Sequence, residues 1–304
     1  MIILTKIREL NISAATGMRP LHLSAASGLV CIGSTIYVVA DDELHLGVFS
    51  TTDREPGHLI RLLDGVLPET AAARKRQKPD LEALVRLPAF RDFPHGALLA
   101  VSSGSRPNRR RGVLLRLDPL GAISGSPRNL DLSPILLSLN EEFSEVNIEG
   151  AVVVQNELRL FQRGNKRQAD NAIIRFQLST VLDALRSEHA DAIRPSAVSR
   201  LDLGFIQGVP FCFTDAAALP DGDMIFSAVA EDTEDAFRDG PCIGGAIGIV
   251  DNNGNLRSLR RLDHPHKVEG IHARLDGNRL DLMLVTDADN AEIPSMLFSA
   301  TVMK

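Results

Sequence analysis

Apolar residues in this chain alternate with polar ones or run in short blocks of four to eight, and Gly, Pro, Asn and Asp punctuate the blocks. That is the pattern of β-strands separated by turns. Residues 147–161, "NIEGAVVVQNELRLF", read as two strands joined by a turn at Gln155-Asn156. Stretches of helical period are nearly absent, and one helix is expected within 179–189, "STVLDALRSEH".

The strand pairs repeat. "SGLVCIGSTIYVVAD", "LEALVRLPAFRDFPHGALLAVSSG", "IEGAVVVQNELRLFQRG", "TDAAALPDGDMIFSAVAED" and "VEGIHARLDGNRLDLMLVTDAD" each present a polar residue, a small residue, an apolar strand, a turn and a second strand. The small residues are Gly28, Ala83, Gly150, Ala216 and Gly270, spaced 55, 67, 66 and 54 residues apart. A third strand follows in every unit ("HLGVFS", "GVLLRLD", "NAIIRFQL", "AIGIVD", "SMLFSATV") and a fourth in the first four. The fifth unit lacks its fourth strand, and "LTKIRELNI" at 4–12 has the right form to supply it. The pattern predicts an all-β, five-bladed β-propeller in one domain, 1–304, with the ring closed by the N-terminal strand. Six blades is the alternative count, since the long stretches after Asp118 and Gln177 have room for extra strands. Two β-sandwiches would need a linker and two independent alternating cores, and neither is visible.

In a propeller the start of each first strand and the end of each second strand share one face. Ser27, Glu82, Glu149, Asp215 and Glu269 stand at the five first-strand starts. Four carboxylates about 8 Å apart at an effective dielectric near 20 repel by about 2 kcal/mol per pair. A cation, protonation, or nearby amides and bases must compensate. Among ions, a ring of carboxylates with one hydroxyl suits Ca²⁺, which tolerates several oxygen ligands, better than Mg²⁺, which wants tight octahedral geometry. The structural alternative is that each acid caps backbone amides of the neighbouring blade.

On the same face, Arg109 and Arg111, with Arg163 and Lys166 in the next unit, are candidates for binding an anionic or ester-type small molecule, since guanidinium groups present forked donors. His266 precedes Glu269 and is the candidate general base. His95 falls in a turn on the opposite face. "DNNGN" at 251–255 lacks the downstream glutamate of a calcium loop and reads as a hairpin turn. The glycines of "CIGGAIG" lack the strand–loop–helix setting of a phosphate cradle.

The set "ASGL", "DLEAL", "NIEGA", "FTDAA" and "KVEGI" resembles the five-bladed propellers of the calcium-activated nucleotidase (apyrase) family, whose first strands present Ser and Glu to a central Ca²⁺. It is also similar to phytase-like esterase and gluconolactonase-type propellers. The resemblance implies a channel metal held by Ser27, Glu82, Glu149, Asp215 and Glu269, and metal-dependent hydrolysis of a phosphoester, lactone or ester. The chain departs from the apyrase pattern in having no Trp and one Tyr, which removes the usual means of stacking a nucleotide base.

Composition narrows the class. A net charge of −6 argues against a phosphate-tracking nucleic-acid surface. Three cysteines do not make a disulfide framework, and no apolar run is long enough for a signal-peptide core or a bilayer span, so a cytoplasmic protein without membrane contact is expected. A non-catalytic binding or scaffold propeller with structural channel acids is the second functional expectation.

Overall fold

A computed structural model describes residues 1–13, 21–187, 191–234 and 240–304. In chain order the strands are β1 Thr5–Glu9, β2 Ala26–Ile32, β3 Thr35–Ala40, β4 His45–Ser50, β5 His58–Arg61, β6 Leu81–Leu87, β7 Ala97–Ser102, β8 Arg111–Arg116, β9 Arg128–Asp131, β10 Ile148–Val154 and β11 Glu157–Gln162. They continue as β12 Asn171–Gln177, β13 Ala197–Leu201, β14 Phe205–Ile206, β15 Val209–Pro210, β16 Cys212–Ala218, β17 Met224–Glu231, β18 Cys242–Val250, β19 Leu256–Arg261, β20 Val268–Asp276, β21 Arg279–Thr286 and β22 Met296–Met303.

Five four-stranded antiparallel sheets result: β2-β3-β4-β5, β6-β7-β8-β9, β10-β11-β12-β13, β16-β17-β18-β19 and β20-β21-β22-β1. The innermost strands β2, β6, β10, β16 and β20 stand side by side in a closed ring. The fifth sheet takes β1 as its outer strand, so the first strand of the chain closes the last blade, as the repeat predicts. This is the five-bladed propeller; the stretches after Asp118 and Gln177 hold loops, short helices and the outer strands β9 and β13 rather than a sixth blade.

Each blade face packs on the next, giving five apolar clusters, one per blade junction. Strand period decides the assignment. In β11, Leu158 and Leu160 face the second blade while Phe161 faces the fourth, where its ring meets Phe213 edge-on at 5.1 Å and Phe213 meets Phe226 at 4.8 Å. Strands buried on both faces explain near-continuous runs such as "AVVV". Each fully buried Leu or Phe contributes roughly 1.5–3 kcal/mol, so the junctions supply the main cohesion of the ring.

The helix expected within 179–189 spans Leu178–Ala184, shorter at its C-terminal end, and positions 188–189 lie outside the described residues. A second helix, Ala71–Gln77, sits in the connection between the first two blades, outside the one stretch where a helix is expected. It has no buried residue, so no apolar stripe marked it. Among the described residues no helix is long and apolar enough to cross a membrane.

Candidate site at the channel mouth

The acids reach the axis through a repeated irregularity. β10 pairs Ile148 with Gln162 and Gly150 with Phe161, which leaves Glu149 as an extra residue. Glu82 is the extra residue between Leu81 and Ala83, and Glu269 between Val268 and Gly270. A β-bulge swings one side chain out of the pleat, and here it turns three glutamates into the mouth instead of the blade junctions. In the first blade the irregularity spans Ser27 and Gly28. In the fourth it falls one residue earlier, at Thr214, and Asp215 resumes the ladder opposite Ser227.

Below the mouth the first strands close on one another. A Cβ on Gly28 would lie 2.6 Å from Leu84 N, one on Gly150 3.1 Å from Ala216 N, and one on Gly270 2.2 Å from Ser27 O. The small residues of the repeat are therefore the points where neighbouring blades meet backbone to backbone.

Above that closure lies a cavity of about 70 Å³. Eight carboxylates line it (Asp41, Asp80, Glu82, Glu149, Glu231, Glu269, Asp287 and Asp289) against five bases, Lys75, Lys78, Arg109, Arg163 and Lys267, a formal excess of three negative charges. Ser27, Asn147, Asn165 and Thr233 complete the wall with Gly164.

The bases are bound to the acids in two groups. On the side of blades three to five, Arg163 lies 3.3 Å from Glu149, 2.5 Å from Glu231 and 3.7 Å from Glu269. Lys267 lies 3.6 Å from Glu269 and 2.5 Å from Asp289. Asn147 Nδ2 donates to Glu149 at 2.6 Å. On the side of blades one and two, Arg109, itself 2% exposed, pairs with Asp80 at 2.8 Å, and Lys78 bridges Asp80 at 3.0 Å to Asp41. Oxygens of Asp41, Asp80 and Glu82 lie within 4.8 Å of one another. Among the described residues, the Glu82 carboxylate has neither a hydrogen bond nor an ion pair.

Burial sets the titration behaviour. It pushes the carboxyl groups of Glu82, Glu149, Glu269 and Asp287 above the usual range, and carboxylates nearby push Glu82 in the same direction. Asp41 is pushed up to about 6, chiefly by burial against the pull of Lys78. Burial disfavours the charged forms of Lys78, Lys267 and Arg163, but the surrounding carboxylates outweigh it and hold all three above their ordinary range.

Of the residues singled out from sequence, Ser27, Glu82, Glu149, Glu269, Arg109 and Arg163 line the mouth together. Asp215 does not. Its Oδ2 accepts from the Ile271 amide at 2.9 Å, two residues deeper along β20 than Glu269, and it is 2% exposed. It ties the fourth blade to the fifth, the capping role weighed above. Arg111 is an exposed residue opening β8, and Lys166 is exposed and paired to Asp232 at 2.7 Å. The His266 ring packs on Phe298 at 4.8 Å, outside the wall of the mouth, and burial lowers its pKa. The sequence reading missed Lys78 and Asp80 and gave Lys267, next to His266, no role of its own. A signal existed: Asp80, Asn147 and Lys267 each stand two residues before a mouth glutamate.

Residues 22–302 match the sequence profile of DUF6929, a family of unknown function, and the chain belongs to that family. No curated protein matches it. Among solved structures the chain is similar to a luciferin-regenerating enzyme, with a TM-score of 0.51 at 11% identity over 99% of this chain and 96% of that one. It is also similar to the glutaminyl cyclase of Myxococcus xanthus, with a TM-score of 0.48 at 10% identity over 100% of this chain and 98% of that one. At 11% identity the likeness to the luciferin-regenerating enzyme concerns the fold alone.

Proposed function

We propose that this DUF6929 propeller binds a divalent cation, Ca²⁺ by the chemistry of its donors, at the channel mouth and holds a small anionic or ester-type ligand there. The observation that carries the reading is the Asp41–Asp80–Glu82 group, whose oxygens lie within 4.8 Å of one another, with no hydrogen bond or ion pair to Glu82 among the described residues. The formal excess of three negative charges in the mouth points the same way. An all-oxygen set of this kind fits a hard cation, and the irregular spacing of carboxylates and Ser27 suits calcium better than magnesium.

Asp41, Asp80 and Glu82 are the residues that would hold the ion, and Lys78 is the internal cation it would have to displace. A divalent cation in that place supplies Lewis-acid polarisation of a carbonyl or phosphoryl oxygen. Arg163 and Lys267, across the mouth, offer donors that orient an anionic group. The cavity is small, about 70 Å³, so a ligand enters it with a small polar group and leaves its bulk above the mouth. A panel of phosphoesters, lactones and aryl esters tests hydrolysis: turnover that depends on Ca²⁺ and disappears in Glu82→Gln supports an enzyme.

A second reading, a non-catalytic binding propeller, is favoured by one observation. Glu149, Glu231 and Glu269 are already held by Arg163 or Lys267, so most of the ring is neutralised from within. Calcium binding with no turnover across the panel selects that reading.

A further inference from the structure

At the seam where the last blade meets the first, a different donor set comes together. Cys31, near the end of β2, places its Sγ 3.6 Å from the Sδ of Met283 in β21. Met283 stands directly opposite His272 in the β20–β21 ladder. Residues opposite one another in an antiparallel pair point to the same face, with Cβ atoms about 4.5–5.5 Å apart. Met283 packs in the cluster between the fifth and first blades, so His272 is on that side too.

We propose that Cys31, Met283 and His272 form a site for a soft monovalent metal ion of the Cu(I) class. A thiolate, a thioether and an imidazole are the ligands that select such ions over the hard cations suited to the channel mouth. With metal–sulfur bonds of about 2.3 Å, two sulfurs 3.6 Å apart subtend an angle of roughly 100° at a shared ion, close to tetrahedral. Burial lowers the pKa of His272, which favours the neutral imidazole that ligates. It also pushes the Cys31 thiol up to about 12, so the group is a poor free nucleophile. On binding, the thiol proton leaves to solvent as the sulfur–metal bond forms, and no electrons are transferred. The site is independent of the cation proposed for the mouth.

The test is anaerobic Cu(I) titration of the full chain against a chromophoric Cu(I) chelator, with X-ray absorption at the copper edge. The wild type is expected to take up one Cu(I) with two sulfur scatterers. Its apparent affinity should rise about tenfold per pH unit as one proton is released. Cys31→Ser should weaken binding at least a hundredfold. Met283→Leu, which preserves side-chain volume, should weaken it about tenfold and leave the copper-free melting temperature near that of the parent. Cys212→Ser with Cys242→Ser should change nothing. Equal affinity in Cys31→Ser and the parent, copper lost only in the Cys212/Cys242 variant, or a copper shell without sulfur would overturn the proposal.

Discussion

Glu149 stands immediately before a run of apolar residues, where an unpaired charge would cost several kcal/mol. It is tolerated because a bulge aims it into the mouth, where Asn147 and Arg163 meet it. Arg163 is the hub of that side, since it lies within 4.0 Å of three buried carboxylates. Removing one partner of a buried ion pair costs about 3–5 kcal/mol. Arg163→Met is accordingly expected to lower the unfolding free energy by about that amount in a denaturant melt, and a loss below about 1 kcal/mol would contradict its role. Asp215 gives a pH-dependent case. Burial, against hydrogen bonds from backbone amides, holds its carboxyl well above the usual range in the folded state. The folded protein therefore keeps a proton that the unfolded chain releases, a stabilising difference present at low pH and lost as pH rises through the folded pKa. Asp215→Asn keeps an oxygen for the Ile271 amide without the charge. Its melting temperature should gain on the parent as pH is raised from acid to alkaline, and a constant gap across that range would rule out this assignment.

At the scale of strands, the repeat made the fold legible because the blades are buried on both faces and their small residues mark the points of closest approach. Gly270 shows the constraint. A Cβ there would meet Ser27 O at 2.2 Å and Val285 Cγ2 at 2.6 Å. Gly270→Ala must push two inner strands apart and should cost about 1–3 kcal/mol, read as a lower denaturation midpoint. The candidate site was only partly legible. Glu82, Glu149 and Glu269 were found because an acid recurs before each small residue. Asp215 follows the same rule in sequence, yet the fourth blade takes its bulge at Thr214, whose hydroxyl donates to Val268 O at 2.6 Å, and pairing register is not written in a motif of three residues. Lys78 was hidden for another reason. It follows the exposed helix Ala71–Gln77, and only the fold brings that connection over the axis.

For the whole molecule, ring closure concentrates charge that no single blade could carry. Five blades each bring polar ends to one axis, and the mouth collects eight carboxylates against five bases in a chain whose total charge is −6. Internal bases answer most of that repulsion, and among the described residues Glu82 and Asp287 are the mouth acids without an ion pair to a base. The most direct measurement is the melting temperature of the metal-stripped full chain with and without Ca²⁺, for the parent and for Glu82→Gln. At a calcium concentration one hundred times its dissociation constant, linkage stabilises the fold by about 2.7 kcal/mol. The parent should therefore melt several degrees higher with Ca²⁺, and Glu82→Gln should lose most of that shift while melting no lower than the parent without the ion. A parent melting curve that calcium and chelator both leave unchanged would contradict the account.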